Sequence, residues 1–187
     1  AYGDHENLTN EQFVPLMTNS KQLPTTSQPP IGKFVAAFDS LGADGSKILC
    51  IDMLEAISGT VHSAQEAAKL SSSDVTVLDS QFTDGGLGFQ VLAAAKMAQN
   101  GADLPEILAK VEEIRNNTKL FMGVMTLDNI VKGGRLHPIA GAITNFLNIK
   151  IILEVTGGKL KIRSKGRGVK SVKKYFDQVL TSIFHIS

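Results

Sequence analysis

The chain has 187 residues, 43% of them hydrophobic, with 19 basic and 18 acidic side chains and a formal net charge of +1. That balance supplies apolar material for one large domain or two small ones and gives no general attraction to nucleic acid. The single cysteine, Cys50, lies in an apolar run and reads as a small core residue, and no stretch reaches the ~20 apolar residues of a membrane span.

The opening residues show no signal peptide, so the expectation is a reduced, cytoplasmic protein without stable membrane insertion. The chain begins at Ala1 rather than methionine and stops just after an apolar run, as a fragment would.

Thr9 and Gln12 fit a capping box, and Leu8 with Phe13 fits a hydrophobic staple, which predicts a helix from Asn10 to about Thr18. The polar stretch that follows contains the turn Thr25-Thr26-Ser27-Gln28-Pro29-Pro30. Pro30 suits the first turn of a second helix, with Phe34, Val35, Phe38 and Leu41 as its apolar face and Gly42 as its end. Lys47 to Asp52 reads as a buried strand. Ile57-Ser58-Gly59-Thr60 then puts two hydroxyls and a bare backbone where the helix Val61 to Leu70 begins. Free N–H groups and the helix dipole favour an anion at such a place.

Val75 to Asp79 reads as a parallel strand, followed by a polar, Gly-rich crossing over Ser80 to Gly88. A helix from Leu87 to Asn100 ends at Gly101, and Asp103 caps another running to about Asn117. Strands separated by helices argue for an α/β arrangement with a parallel sheet, whose ligand loops follow the strands, here after Asp52 and Asp79. Lys119 to Met125 is a further strand. Thr126 caps a short helix stopping at Lys132-Gly133-Gly134-Arg135, and another helix lies near Pro138 to Leu147. Ile149 to Val155 and Lys159 to Arg163, joined by Thr156-Gly157-Gly158, predict an antiparallel hairpin. The basic run Lys161 to Lys174 leads into an amphipathic helix with Val172, Tyr175, Phe176 and Val179 inward.

Several motifs form an ordered set: Thr26-Ser27-Gln28-Pro29, Ile57-Ser58-Gly59-Thr60 with Ser63-Ala64 behind it, and Val77-Leu78-Asp79-Ser80. Gly86-Leu87-Gly88, Thr126-Leu127, Lys132-Gly133-Gly134-Arg135-Leu136, Leu147-Asn148-Ile149-Lys150 and Arg167-Gly168 continue it. Over nearly the whole chain this order resembles the DegV family of bacterial fatty-acid-binding proteins. The resemblance implies a parallel-sheet α/β domain over residues 1–118, N-terminally incomplete, and an α+β domain over 119–187, C-terminally incomplete. One long-chain fatty acid, such as palmitate, stearate or oleate, is expected between them. Its carboxylate would be held by the hydroxyls of Thr26 and Ser58, with Ser27, Gly59 and Thr60 beside them.

No catalytic residue, metal or cofactor other than the bound acid is implied. DegV-like proteins present the acid to a separate fatty acid kinase catalytic subunit that makes an acyl phosphate, so that subunit is the implied partner. Phe82, Phe121, Met122, Met125, Leu127, Phe146 and Leu147 are the candidates to line an acyl tunnel. Arg135, Arg163, Lys165 and Arg167 form a candidate docking patch, with Arg135 and Arg167 the leading members. Family members extend further at both ends, and the histidine they place near the carboxylate cannot be assigned to His185. Asp84 stands where the family often has a serine before Gly-Leu-Gly.

The competing reading is a serine-dependent lipid ester hydrolase in which Ser58 is the nucleophile and His62, four residues on, its base. Ser58 lacks the Gly-x-Ser-x-Gly elbow, and no acid is placed to orient His62. His5 and His137 read as structural or exposed. No spacing of histidine, cysteine and carboxylates suggests a metal site, and Gly133-Gly134-Arg135 lacks a Walker pattern.

Overall fold

The computed structural model describes residues 8–20, 22–134 and 149–184. Helix α1 (Asn10–Asn19) starts in the expected box: Thr9 Oγ1 accepts from the Gln12 N–H, and the Gln12 side chain accepts from the Thr9 N–H. Helix α2 (Ile31–Leu41) has Pro30 as its N-cap rather than within its first turn, and Gly42 as its C-cap. Phe34, Val35 and Phe38 pack together with Ala64 and Ala67, whereas Leu41 is exposed and lies outside that cluster.

Strand β1 (Ile48–Asp52) pairs in parallel with β2 (Val75–Asp79), in a register that sets Asp52 beside Asp79. Between them runs α3 (Thr60–Leu70). Both faces of this small sheet are covered, as parallel pairs require. Ile48, Cys50, Val75 and Val77 meet α2 and α3, while Leu49, Ile51 and Leu78 meet Ala94, Ile107 and Val111. These last three belong to α4 (Asp84–Gln99) and α5 (Leu104–Asn117). Asp103 and Glu106 form a second capping box at the start of α5.

Of the expected Gly-rich crossing from Ser80 to Gly88, Ser80 to Thr83 form the loop after β2, whereas Asp84 to Gly88 already belong to α4. Glycines disfavour helix in isolation, but here packing overrides propensity. A Cβ at Gly86 would stand 2.7 Å from the Phe82 ring, so only a bare backbone lets that ring lie against the helix.

Strand β3 (Leu120–Val124) pairs antiparallel with β4 (Ile149–Thr156), which pairs antiparallel with β5 (Lys159–Arg167). The short α6 (Asp128–Lys132) follows β3. Gly157 and Gly158 have φ of +55° and +68°, the left-handed pair that a two-residue hairpin turn needs. Strand β5 runs on past Arg163 to Arg167, its exposed basic side chains lying along the edge of the sheet. Helix α7 (Val169–Phe184) covers one face, with Val172 buried and Tyr175, Phe176 and Val179 half-buried. Buried Glu154 pairs with Arg163. The helix expected near Pro138 to Leu147 lies outside the described residues.

The opposite face of the antiparallel sheet meets the loops of the parallel one. Ile151, Leu153, Val155 and Leu160 form one core with Leu54, from the loop after β1, Phe82, from the loop after β2, and Leu127. The two loops are also stitched by backbone, since the Leu54 N–H donates to the Phe82 carbonyl at 2.9 Å. Leu54 is fully buried and joins both sheets. Leu54→Ala should therefore cost about 2–5 kcal/mol in unfolding free energy by chemical denaturation. A loss near zero would show that the sheets do not share a core.

Candidate functional site

The carboxyl end of β1 leads into a tight turn. The Ile57 N–H donates to the Leu54 carbonyl and the Ser58 N–H to the Glu55 carbonyl, both at 3.3 Å, which sets Ser58 at the mouth of α3. Gly59 is the N-cap of that helix and gives it no side-chain cap. Ser58 Oγ and Thr60 Oγ1 share a hydrogen bond of 2.7 Å, and the Thr60 N–H points at Ser58 Oγ from 3.3 Å. The result is a pair of linked hydroxyls over a helix N-terminus whose first N–H groups carry partial positive charge.

The extended stretch before α2 arrives at the same place. Thr26, Ser27, Gln28 and Pro29 line one cavity of about 470 Å³ together with Met53, Glu55, Ile57, Ser58, Gly59 and Thr60. The contact joining the two turns is the Gln28 amide over Gly59: a Cβ there would stand 2.9 Å from Gln28 Nε2. All five residues expected at a head group, Thr26, Ser27, Ser58, Gly59 and Thr60, thus meet around one space. Gln28 and Glu55 also line it and were not singled out from the sequence. Gln28 lies within the Thr26-Ser27-Gln28-Pro29 motif, but Glu55 has no local signal beyond its place between β1 and Ser58.

The apolar candidates divide. Phe82 and Leu127 are buried in the core shared by the sheets, and Met122 packs against it. Ile57 lines the cavity and packs on that same core, so it borders both. Phe121, one residue from Met122, faces the other side of the sheet, where its ring meets Tyr175 of α7. Met125 is 43% exposed. Phe146, Leu147 and Arg135 lie outside the described residues, as do His5, His137 and His185. Arg167 is exposed at the end of β5.

Two carboxylates, Asp52 and Asp79, stand side by side at the carboxyl ends of β1 and β2. Burial pushes Asp52 above the usual aspartate range, opposed by the hydrogen bond from Cys50 Sγ and reinforced by Asp79. Burial beside Asp52 pushes the Cys50 thiol up to about 12, leaving it protonated and unreactive. The Asp79 carboxylate accepts from the Gln81 N–H at 2.8 Å, holding Gln81 at a φ of +60°. The hydroxyl of Ser58 has Thr60 as its partner, and exposed His62 lies near Glu66 instead. Among the described residues no group of three or more His, Cys, Asp or Glu side chains stands close enough to hold a metal ion. None of the described helices is long and apolar enough to cross a membrane.

The family described as "Uncharacterised protein, DegV family" matches residues 1–184. A DegV domain-containing protein of Streptococcus pneumoniae is 47% identical over 183 residues, which are 98% of this chain and 66% of that protein. The chain therefore spans just under two thirds of that relative's length. The solved structure of a DegV family protein from Thermus thermophilus, described for its fatty acid binding, is 27% identical with a TM-score of 0.84. That match covers 97% of this chain and 65% of the other. The Streptococcus pneumoniae Fatty Acid Kinase (Fak) B3 protein, loaded with linoleic acid, shares the fold at 24% identity and a TM-score of 0.77, over 95% of this chain and 64% of that one.

The Gln28–Gly59 contact makes a prediction that separates the site from the scaffold. Gly59 has an ordinary φ of −76°, and the atom a new methyl would meet ends a flexible, exposed side chain. Gly59→Ala should displace the Gln28 amide, seen as a shifted side-chain NH2 resonance, while changing unfolding free energy by only about 1 kcal/mol. A loss above about 3 kcal/mol would show that backbone contact, not the amide, joins the turns.

Proposed function

The chain belongs to the DegV family, and from that premise we propose that it binds a long-chain fatty acid whose carboxylate sits between the two hydroxyl-bearing turns. The observation that carries this reading is the convergence of Thr26 and Ser58 on one cavity at the start of α3. Burying an acyl tail gains roughly 0.8 kcal/mol per CH₂, so about fifteen contribute ~12 kcal/mol gross, from which immobilisation subtracts several. A head group stripped of water without partners would cancel much of what remains. Hydroxyl donors and free helix N–H groups meet that need without a metal or a buried cation. The tail would pass Ile57 and run among Phe82, Met122 and Leu127, between a lobe of residues 1–118 and one of residues 119–187.

In this reading the protein performs no chemistry itself. It is a cytoplasmic carrier that presents the acid to a fatty acid kinase catalytic subunit for acyl-phosphate formation, with exposed Arg167, and Arg135, as docking residues. Fatty acid binding in the Thermus relative supports the ligand. The kinase step is motivated by the fold shared with the pneumococcal kinase-system protein. The hydrolase reading gains nothing from a Ser58 whose hydroxyl partner is Thr60.

Ser58→Ala should weaken binding of a fluorescent fatty acid by about 1.5–3 kcal/mol, the range for a hydrogen bond to a charged group. Thr26→Val should act in the same direction, and the double mutant should show coupling, since both would touch one head group. Thermal stability should be nearly unchanged in all three variants. Rapid stoichiometric labelling of Ser58 by a serine-directed phosphonate, together with ester turnover, would overturn the carrier reading.

A further inference from the structure

Gln90, on α4, is a fully buried amide that reaches back to the loop after β2. Its Nε2 donates to the carbonyls of Ser80 and Gly86, each at 3.0 Å. Its Oε1 is buried without a partner among the described residues. The amide is therefore held by its two N–H groups alone, and turning it over would set Oε1 against both carbonyl oxygens.

Those two carbonyls belong to the residues that fix Phe82. Ser80 Oγ accepts from the Phe82 N–H at 3.1 Å and donates to the Phe82 carbonyl at 3.0 Å, and Gly86 is the bare backbone on which the ring lies. Gln81 and Asp84, on either side of Phe82, have φ of +60° and +49°, a region that non-glycine residues seldom occupy. Backbone of that kind persists only where its surroundings hold it in place. One amide thus ties the backbone grip on Phe82 to the seat of its ring.

We infer that Gln90 is a positioning residue for acyl-chain length: by clamping Ser80 to Gly86 it fixes the Phe82 ring as a stop for the far end of the tail. The inference rests on the fatty-acid reading above, in which the tail passes Ile57 and runs toward Phe82. Burying one further methylene is worth about fourfold in Kd. A ring that yields by one or two methylenes therefore shifts the chain-length preference by roughly four- to fifteenfold.

The test measures Kd for tetradecanoate and eicosanoate on the full chain, by displacement of a fluorescent fatty acid. Gln90→Met keeps a side chain of similar length and removes both donors. It should shift the ratio of the two Kd values toward the longer acid by roughly four- to fifteenfold relative to the wild type. Phe82→Leu should shift the ratio at least as far, and adding Gln90→Met to it should change the ratio no further, because Gln90 acts through the ring. Loss of affinity by the same factor for both acids in Gln90→Met would show a merely structural residue and overturn the inference. Shifts that multiply in the double variant would overturn it as well. Should Gln90→Met not fold, Ser80→Ala frees the Phe82 backbone with the amide in place, and an unchanged ratio there overturns the inference. In each of these cases the fatty-acid reading stands. Failure of the wild type to bind either acid would overturn that reading and this inference with it.

Discussion

The structure depends on one joint, the packing of the loops that leave β1 and β2 against a face of the antiparallel sheet. Leu54 and Phe82 are the residues that make it, buried beside Ile151, Leu153 and Val155 and linked by their own backbone hydrogen bond. Each parallel strand must end in a turn, and polar backbone in a turn needs partners if it is to be covered. Ser80 supplies them: its N–H donates to the Asp52 carbonyl, and its side chain bonds both the N–H and the carbonyl of Phe82. With the loops held this way, the turn from Glu55 to Ser58 has little freedom. The hydroxyls at the start of α3 inherit their position from a hydrophobic core.

The cavity is unusual in its electrostatics for a place read as an anion site. Among the described residues it is lined by hydroxyls, an amide, a carboxylate and the apolar Pro29, Met53 and Ile57, and no cation lines it. A buried arginine would bind a carboxylate more strongly, but it would need a partner of its own whenever the ligand left. Hydroxyls can pair with each other in the interval, as Ser58 and Thr60 do at 2.7 Å. Hydroxyl donors of this kind can therefore lose a ligand without being left unpaired.

Much of this was legible in the sequence where the determinants are local. The two capping boxes, Thr9 with Gln12 and Asp103 with Glu106, need only residues three apart. The paired glycines at 157 and 158 specify their turn almost alone. The parallel pairing of β1 and β2 followed from the helix between them. Three features needed tertiary contacts. The Gly-rich start of α4 is helical because Phe82 packs where a Cβ would be. Gln28 belongs to the site because it reaches Gly59, 31 positions away. Phe121 and Met122 were grouped as lining, but strand alternation sends them to opposite faces, Phe121 toward Tyr175 and Met122 toward the shared core. Met125, also grouped with them, is left exposed beyond the end of β3.

In the proposed reading a fatty-acid head group lies between the turn at Thr26 and the turn at Ser58. The most direct measurement is a set of intermolecular NOEs from the C2 methylene of isotope-labelled palmitate to the protein at saturation. Contacts to Thr26, Ser58 and Thr60 are expected, with the chain-end methyl near Phe82 or Leu127. A head group that instead contacts Val91, Ala95 and Leu104, in the apolar groove beside β1, would contradict it.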